Sequence, residues 1–403
     1  MQVVVVFAIT LVIAVLLSGL ANRSILSTAV IFLLAGFIAG PGVLGVMTIQ
    51  FDNEVVSTFA QLALFSVLYT DGMRVKLADF NIAKWKLPGR ALFLGLPLTL
   101  LGNAVLAHFI VGLSWLDSFL LGAVLTPTDP VFASAIVGRE EVPGRVRSLL
   151  NIESGMNDGL ALPFVVAFLA LMSAEKPDVP SILLNIVLGI VIGIVTPLII
   201  SALSTKPIFS VSSNYLPLLA VSIGVMVYAL ATVFHGNEFL AAFTAGITLA
   251  AVNKDACKAF HEFGEVLAEL FKVATLLLFG ALITPSIFSN TDIFGYIFAV
   301  LVLVAVRPLA LALALLGARL SWLEWFTTAW FGPKGFASVF YGFLILRSGI
   351  ARTNEIITLT AIVVVFSIVA HSSTDVIVAN WFKKANEEAE RKKSNKVNRT
   401  EAA

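Results

Sequence analysis

The alternation of apolar and polar stretches divides the 403-residue chain into thirteen apolar segments: about 2–20, 27–48, 54–70, 91–111, 116–137, 150–173, 181–203, 215–234, 238–253, 265–285, 292–317, 321–346 and 354–381. Each is close to the roughly 20 residues a helix needs to cross the hydrocarbon core. No basic residue precedes the first segment and no small-residue cleavage pattern follows it, so it is read as a span and not a signal peptide. The pattern predicts an all-α polytopic membrane protein whose transmembrane domain fills 1–381. It is followed by a short charged tail over 382–403, starting Lys383, Lys384, Glu387, Glu388, and expected to be mobile.

Two of the spans are interrupted in their middles. The fifth contains Thr126-Pro127-Thr128-Asp129-Pro130 and the twelfth Phe331-Gly332-Pro333-Lys334-Gly335, each between apolar halves. Proline removes a backbone donor and clashes with the preceding turn, so both helices should unwind there. Seven spans separate them, an odd offset, so a repeat relating spans 1–6 to spans 8–13 must be inverted, with span 7 as connector. Matching interruptions in opposed halves are the mark of a secondary transporter with its site between two broken, crossing helices.

Composition sharpens this picture. The chain is 59% hydrophobic and 13% charged, against about a quarter charged in soluble domains. Its net charge of +1 carries no basic excess for nucleic acid. The single cysteine, Cys257, excludes an intrachain disulfide and reads as incidental. No Gly-rich phosphate loop is present, so nothing points to ATP as the energy source, to an enzyme activity or to a cofactor. Twenty basic residues fall on the side reached after odd-numbered spans and three on the other. That bias predicts a cytoplasmic C-terminus and an outside N-terminus in the plasma membrane.

Span six opens Asn151-Ile152-Glu153-Ser154-Gly155-Met156-Asn157-Asp158, a heavy polar load where an acid costs roughly 2.5–3.5 kcal/mol at mid-membrane. Ser154 lies one helical turn before Asp158 on the same face. A carboxylate, a hydroxyl and carbonyls freed by the break in span five make a hard-oxygen site for an alkali cation, and not for zinc, copper or iron. Burial disfavours the charged carboxylate, so Asp158 is expected to hold either a proton or a cation. Competition for that one site is enough for exchange. The bland alternative is a helix start capped by Asn151 or Ser154, with acids in its first turn.

The other intramembrane charges are read as support. Asp129 either compensates a helix dipole or contacts the ion, and Lys334 compensates a carbonyl end. Arg307 cannot shed its charge and needs a buried carboxylate, for which Glu153 is the expected partner. Lys272 is expected to snorkel toward Glu269 and Glu265 on its own helix. His371, beside Ser372, Ser373, Thr374 and Asp375, is either a pH-sensing cluster or an inter-helix hydrogen-bonding patch. Arg74, Lys76, Lys84 and Lys86 with Phe80 and Trp85 read as an interfacial anchor on lipid.

Taken together, the Thr128-Asp129-Pro130 break and the Glu153-Ser154 and Asn157-Asp158 elements resemble the NhaP-type cation/proton antiporters of the sodium/hydrogen exchanger superfamily. The resemblance implies an antiporter exchanging sodium for protons, with potassium as the alternative cation and a passive cation channel as a remoter one. It implies Asp158 as the shared cation and proton carrier, Thr128, Ser154 and Asp129 as its coordinating surroundings, and a Glu153–Arg307 pair. Metal ligation thus falls to Asp158, Ser154 and Thr128. Asn157 marks the Asn-Asp variant that the family associates with electroneutral exchange. The resemblance further implies a homodimer and an elevator-like transport bundle of spans 4–6 and 11–13. Lys334 departs from it, since many members carry arginine in the twelfth-span break.

Overall fold

A computed structural model describes residues 2–21, 28–47, 54–75, 82–129, 136, 141–173, 179–209 and 211–401. Among them there is no strand. The principal helices are α1 (Gln2–Leu16), α2 (Thr28–Ala39), α3 (Glu54–Met73), α4 (82–111), α5 (Trp115–Val124), α6 (Gly144–Ser173), α7 (Val179–Ser204) and α8 (Leu216–Val233). They continue with α9 (Glu238–Val252), α10 (Lys254–Leu282), α11 (Ile293–Ala314), α12 (Trp322–Trp330), α13 (Phe336–Ser348) and α14 (Thr353–Glu401). Six stretches, in α4, α6, α7, α8, α11 and α14, are long and apolar enough to cross a membrane, and α1, α2, α5, α9 and α13 are shorter apolar helices. Large apolar side chains such as Phe93, Phe109, Leu184 and Leu309 stand exposed on the outer faces. Water would not tolerate so much exposed apolar surface, and lipid does.

Several boundaries differ from those read in the sequence. Helix α2 stops at Ala39 because Gly40-Pro41 follows. Helix α6 begins at Gly144, behind Pro143, and not at 150, so Asn151 to Asp158 lie well inside a helix and the capped-helix-start reading does not hold. Asn253 caps α10 by accepting from Ala256 N, so that helix starts eleven residues earlier than its apolar stretch. The charged tail, expected to be mobile, continues α14 as helix to Glu401, since no Gly or Pro follows Thr353 to stop it. The Lys76–Phe80 part of the interfacial stretch and the second half of span five, Ile136 apart, lie outside the described residues.

The helices pack in two groups. In one, α10 lies along α2 and α3, α9 along α3 and α7, and α8 against α9 and α10. Gly72 and Gly246 let α3 and α9 touch backbone to backbone: a Cβ on Gly246 would stand 2.2 Å from Tyr69 O. Small residues at such crossings are how helices approach closely in lipid. In the other group, α4 packs on α5, α5 on α6, α11 on α12 and α14, and α13 on α14. The groups meet where α3 and α9 touch α6 and where α10 touches α13.

The two broken spans begin alike. Ser114-Trp115-Leu116-Asp117 starts α5 and Ser321-Trp322-Leu323-Glu324 starts α12, 207 positions later. Each serine caps its helix by accepting from the backbone N–H of the acid three residues on. Arg145 and Arg352 repeat the same offset. Arg145 grips Glu324 through two guanidinium nitrogens, and Arg352 approaches Asp117 at 4.0 Å. The start of each broken span is thus tied to the start of the helix that follows the other.

Candidate functional site

The two interruptions close on each other. Helix α5 ends at Val124 and α12 at Trp330, and the chain runs without helix through 126–129 and 331–335. Asp129 N donates to Pro333 O at 2.8 Å, and Phe336 N, at the start of α13, donates to Asp129 Oδ2 at 2.8 Å. The Lys334 ammonium reaches Thr126 O at 3.2 Å and Pro127 O at 3.4 Å, just past the carbonyl end of α5. An acid from one break therefore caps the positive end of the other span, and a lysine from the second caps the negative end of the first. For Asp129 the end concerned is that of α13. Ser338 Oγ adds a bond to Val124 O at 2.8 Å.

Helix α14 stitches the twelfth-span break together. Lys334 N donates to Ser367 Oγ at 2.6 Å, and Ser367 Oγ lies 3.2 Å from His371 Nδ1. On the far side of the ring, His371 Nε2 stands 2.9 Å from Trp330 O, the last residue of α12. His371 Nδ1 also lies 2.6 Å from Ser367 O, so both ring nitrogens face carbonyl acceptors and whichever carries the proton donates. His371 thus bridges helices through hydrogen bonds, and Trp330 Nε1 donates to Thr374 Oγ1 at 2.8 Å beside it.

Arg307 and Glu153 form a buried two-pronged pair at 2.6 and 2.9 Å. The same guanidinium donates to Thr328 O at 3.2 Å and Phe331 O at 3.4 Å, so it also compensates the carbonyl end of α12. Gly332 makes room for it, because a Cβ there would fall 2.1 Å from Arg307 Nε. The π-helical turn Val302–Val306 immediately precedes Arg307 on α11.

Asp158 is 6% exposed, and its Oδ1 has no hydrogen-bond partner among the described residues. Its neighbour Asn157 donates through Nδ2 to Thr128 Oγ1 at 2.6 Å, while Asn157 Oδ1 is likewise without a partner. That bond fastens α6 to the fifth-span break. The Ser154 hydroxyl donates back to Leu150 O at 2.6 Å, which leaves its oxygen lone pairs available. No hydrogen bond joins Thr128 or Ser154 to Asp158 among the described residues. Tyr341 on α13 donates its hydroxyl to the Asp158 carbonyl at 2.5 Å. Pro163 removes the intrahelical donor for the Gly159 carbonyl, adding another oxygen one residue away. These oxygens suit a hard monovalent cation.

Two charges within electrostatic reach of Asp158 were missing from the sequence reading of the site: Asp71 and Lys272. Lys272 does not snorkel toward Glu269 or Glu265. It is 5% exposed, and its ammonium lies 3.7 Å from Asp71 on α3. Asp71 also pairs with Arg74 at 3.1 Å, and Arg74 with Glu265 at 3.1 Å.

Broken segments that compensate each other's dipoles around a buried carboxylate, in a lipid-facing helical bundle, define a secondary transporter of the ion-coupled class. The family model for the sodium/hydrogen exchanger, transmembrane, matches residues 8–381, and the chain belongs to that family of cation/proton antiporters. It is 26% identical over 381 residues to the K(+)/H(+) antiporter NhaP of Alkalimonas amylolytica, covering 92% of this chain and 65% of that protein. To NhaP2 of Shewanella oneidensis, also named a K(+)/H(+) antiporter, it is 25% identical over 372 residues, covering 90% and 64%. The chain thus spans a little under two thirds of these relatives. The solved structure of the sodium proton antiporter MjNhaP1 from Methanocaldococcus jannaschii at pH 8 shares the fold, with a TM-score of 0.79, 21% identity, and 94% and 99% of the two chains covered.

Proposed function

We propose that the chain exchanges a monovalent cation for a proton across the plasma membrane, with Asp158 as the site both ions share in turn. One observation carries this reading. Of the buried acids, Glu153, Asp129, Asp117, Glu324 and Asp71 are each held by a named hydrogen bond or ion pair, whereas the Asp158 side chain has none among the described residues. A carboxylate left without a fixed partner in a dry bundle is the group that gains most from binding either a cation or a proton.

Sodium is the first candidate cation, as the family description suggests. Potassium stands beside it because the NhaP relatives carry that name. Asn157, Thr128, Ser154 and Asp129 complete the surroundings, and one charge moved each way makes the exchange electroneutral. The α4–α6 and α11–α14 group would carry the site past the other group as an elevator, in thirteen spans and a homodimer. The separate packing of the two groups supports this, as does the 207-residue correspondence between the breaks. The basic-residue bias supports an outside N-terminus and a cytoplasmic C-terminus.

Reconstituted into proteoliposomes, the protein should move protons when a sodium, lithium or potassium gradient is imposed, and the cation giving the largest flux names the substrate. Asp158→Ala should abolish the flux. Full exchange by that variant would overturn the assignment, and failure of a pH gradient to drive uphill cation accumulation would mark a channel instead.

A further inference from the structure

Lys272 is the buried cation that the exchange reading leaves without a task. It sits on α10, in the group opposite the broken spans, yet its ammonium faces them: it lies over the Phe336 ring, 5.8 Å from the centroid. Phe336 is the residue whose N–H binds Asp129. A lysine held only to lock α10 to α3 would make a close charge-assisted bond, about 2.8 Å. The contact to Asp71 is 3.7 Å, and Asp71 is already engaged by the Arg74 guanidinium at 3.1 Å. Burying an ammonium is costly, and one long contact to a shared acid does not offset that cost. The other negative charges within its reach are Asp129 and Asp158 in the broken-span group and Glu269 on its own helix.

We infer that Lys272 is a tethered counter-cation of the transport site, which opposes the entering cation at Asp158 and thereby sets its apparent affinity. This rests on the reading of Asp158 as the shared carboxylate. Lys272 is a positioning residue here, since it acts through the field at Asp158, and Asp71 holds it back from that site.

The test compares wild type, Lys272→Met, Lys272→Arg and Asp71→Asn in proteoliposomes at one pH, reading apparent KM for sodium and for potassium separately from maximal rate. Lys272→Met should lower KM about tenfold, the scale of one partly screened charge several ångströms away. Asp71 keeps its ion pair with Arg74 in that variant. Lys272→Arg should stay within about twofold of wild type, because the charge is kept. Asp71→Asn should raise KM, having removed an attracting charge and freed the lysine. A purely structural pair would instead lower maximal rate in both variants with KM unmoved, and that result overturns the inference alone. A wild type without cation-driven proton flux overturns the exchange reading with it. Should Lys272→Met not yield folded protein, Lys272→Gln carries the same KM prediction.

Discussion

A guanidinium buried at Arg307 must keep its charge, so its stability depends on what lies around it. Glu153 supplies two oxygens and the end of α12 two carbonyls. Arg307→Leu would leave Glu153 charged and alone in the bundle, at a cost of about 3–5 kcal/mol. Thermal unfolding of the purified protein should show a large drop for that variant and a smaller one for Arg307→Met combined with Glu153→Leu. This pair was legible in the sequence because a charge in an apolar run demands a partner and few acids are available. Asp129, Asp158 and Lys334 stood out for the same reason. Asp71 did not, since the apolar stretch ends at position 70 and the acid reads as the first polar residue outside it. Lys272 was assigned partners on its own helix, where spacing is visible. Its contact to another helix leaves no periodic mark.

Among the elements, the Pro127, Pro130 and Pro333 interruptions were readable as breaks because proline acts on backbone it adjoins. What the breaks do to each other was not, since Asp129 and Lys334 act across 207 positions. Helix starts were misplaced for a simpler reason. Helix α6 and helix α10 begin in polar sequence, where capping, and not apolarity, decides the boundary. The α3–α9 contact rests on Gly72 and Gly246. Gly246→Val would drive a branched side chain into the Tyr69 carbonyl and force the helices apart, at about 1–3 kcal/mol or more. A lowered melting temperature with unchanged apparent KM checks that this crossing is scaffold.

At the scale of the whole molecule, the basic-residue bias makes a direct prediction. With Cys257→Ser as background, Glu387→Cys should react with an impermeant maleimide only after cells are permeabilised. Asn290→Cys, eight residues beyond the far end of α10, should react in intact cells. Both positions are exposed, so access and not burial decides the labelling. The reverse pattern would invert the topology.

Helix α14 runs 49 residues without a glycine or proline. At 1.5 Å per residue it is about 70 Å long, more than twice the thickness of the hydrocarbon core. Ser367 and His371, partway along it, grip the two ends of the twelfth-span break. The far turns therefore form the handle of a lever whose fulcrum is the bundle. A load hung on that handle would transmit torque to the helix joint of the twelfth span and, on the exchange proposed above, would alter its rate without touching Asp158, Ser154 or Thr128.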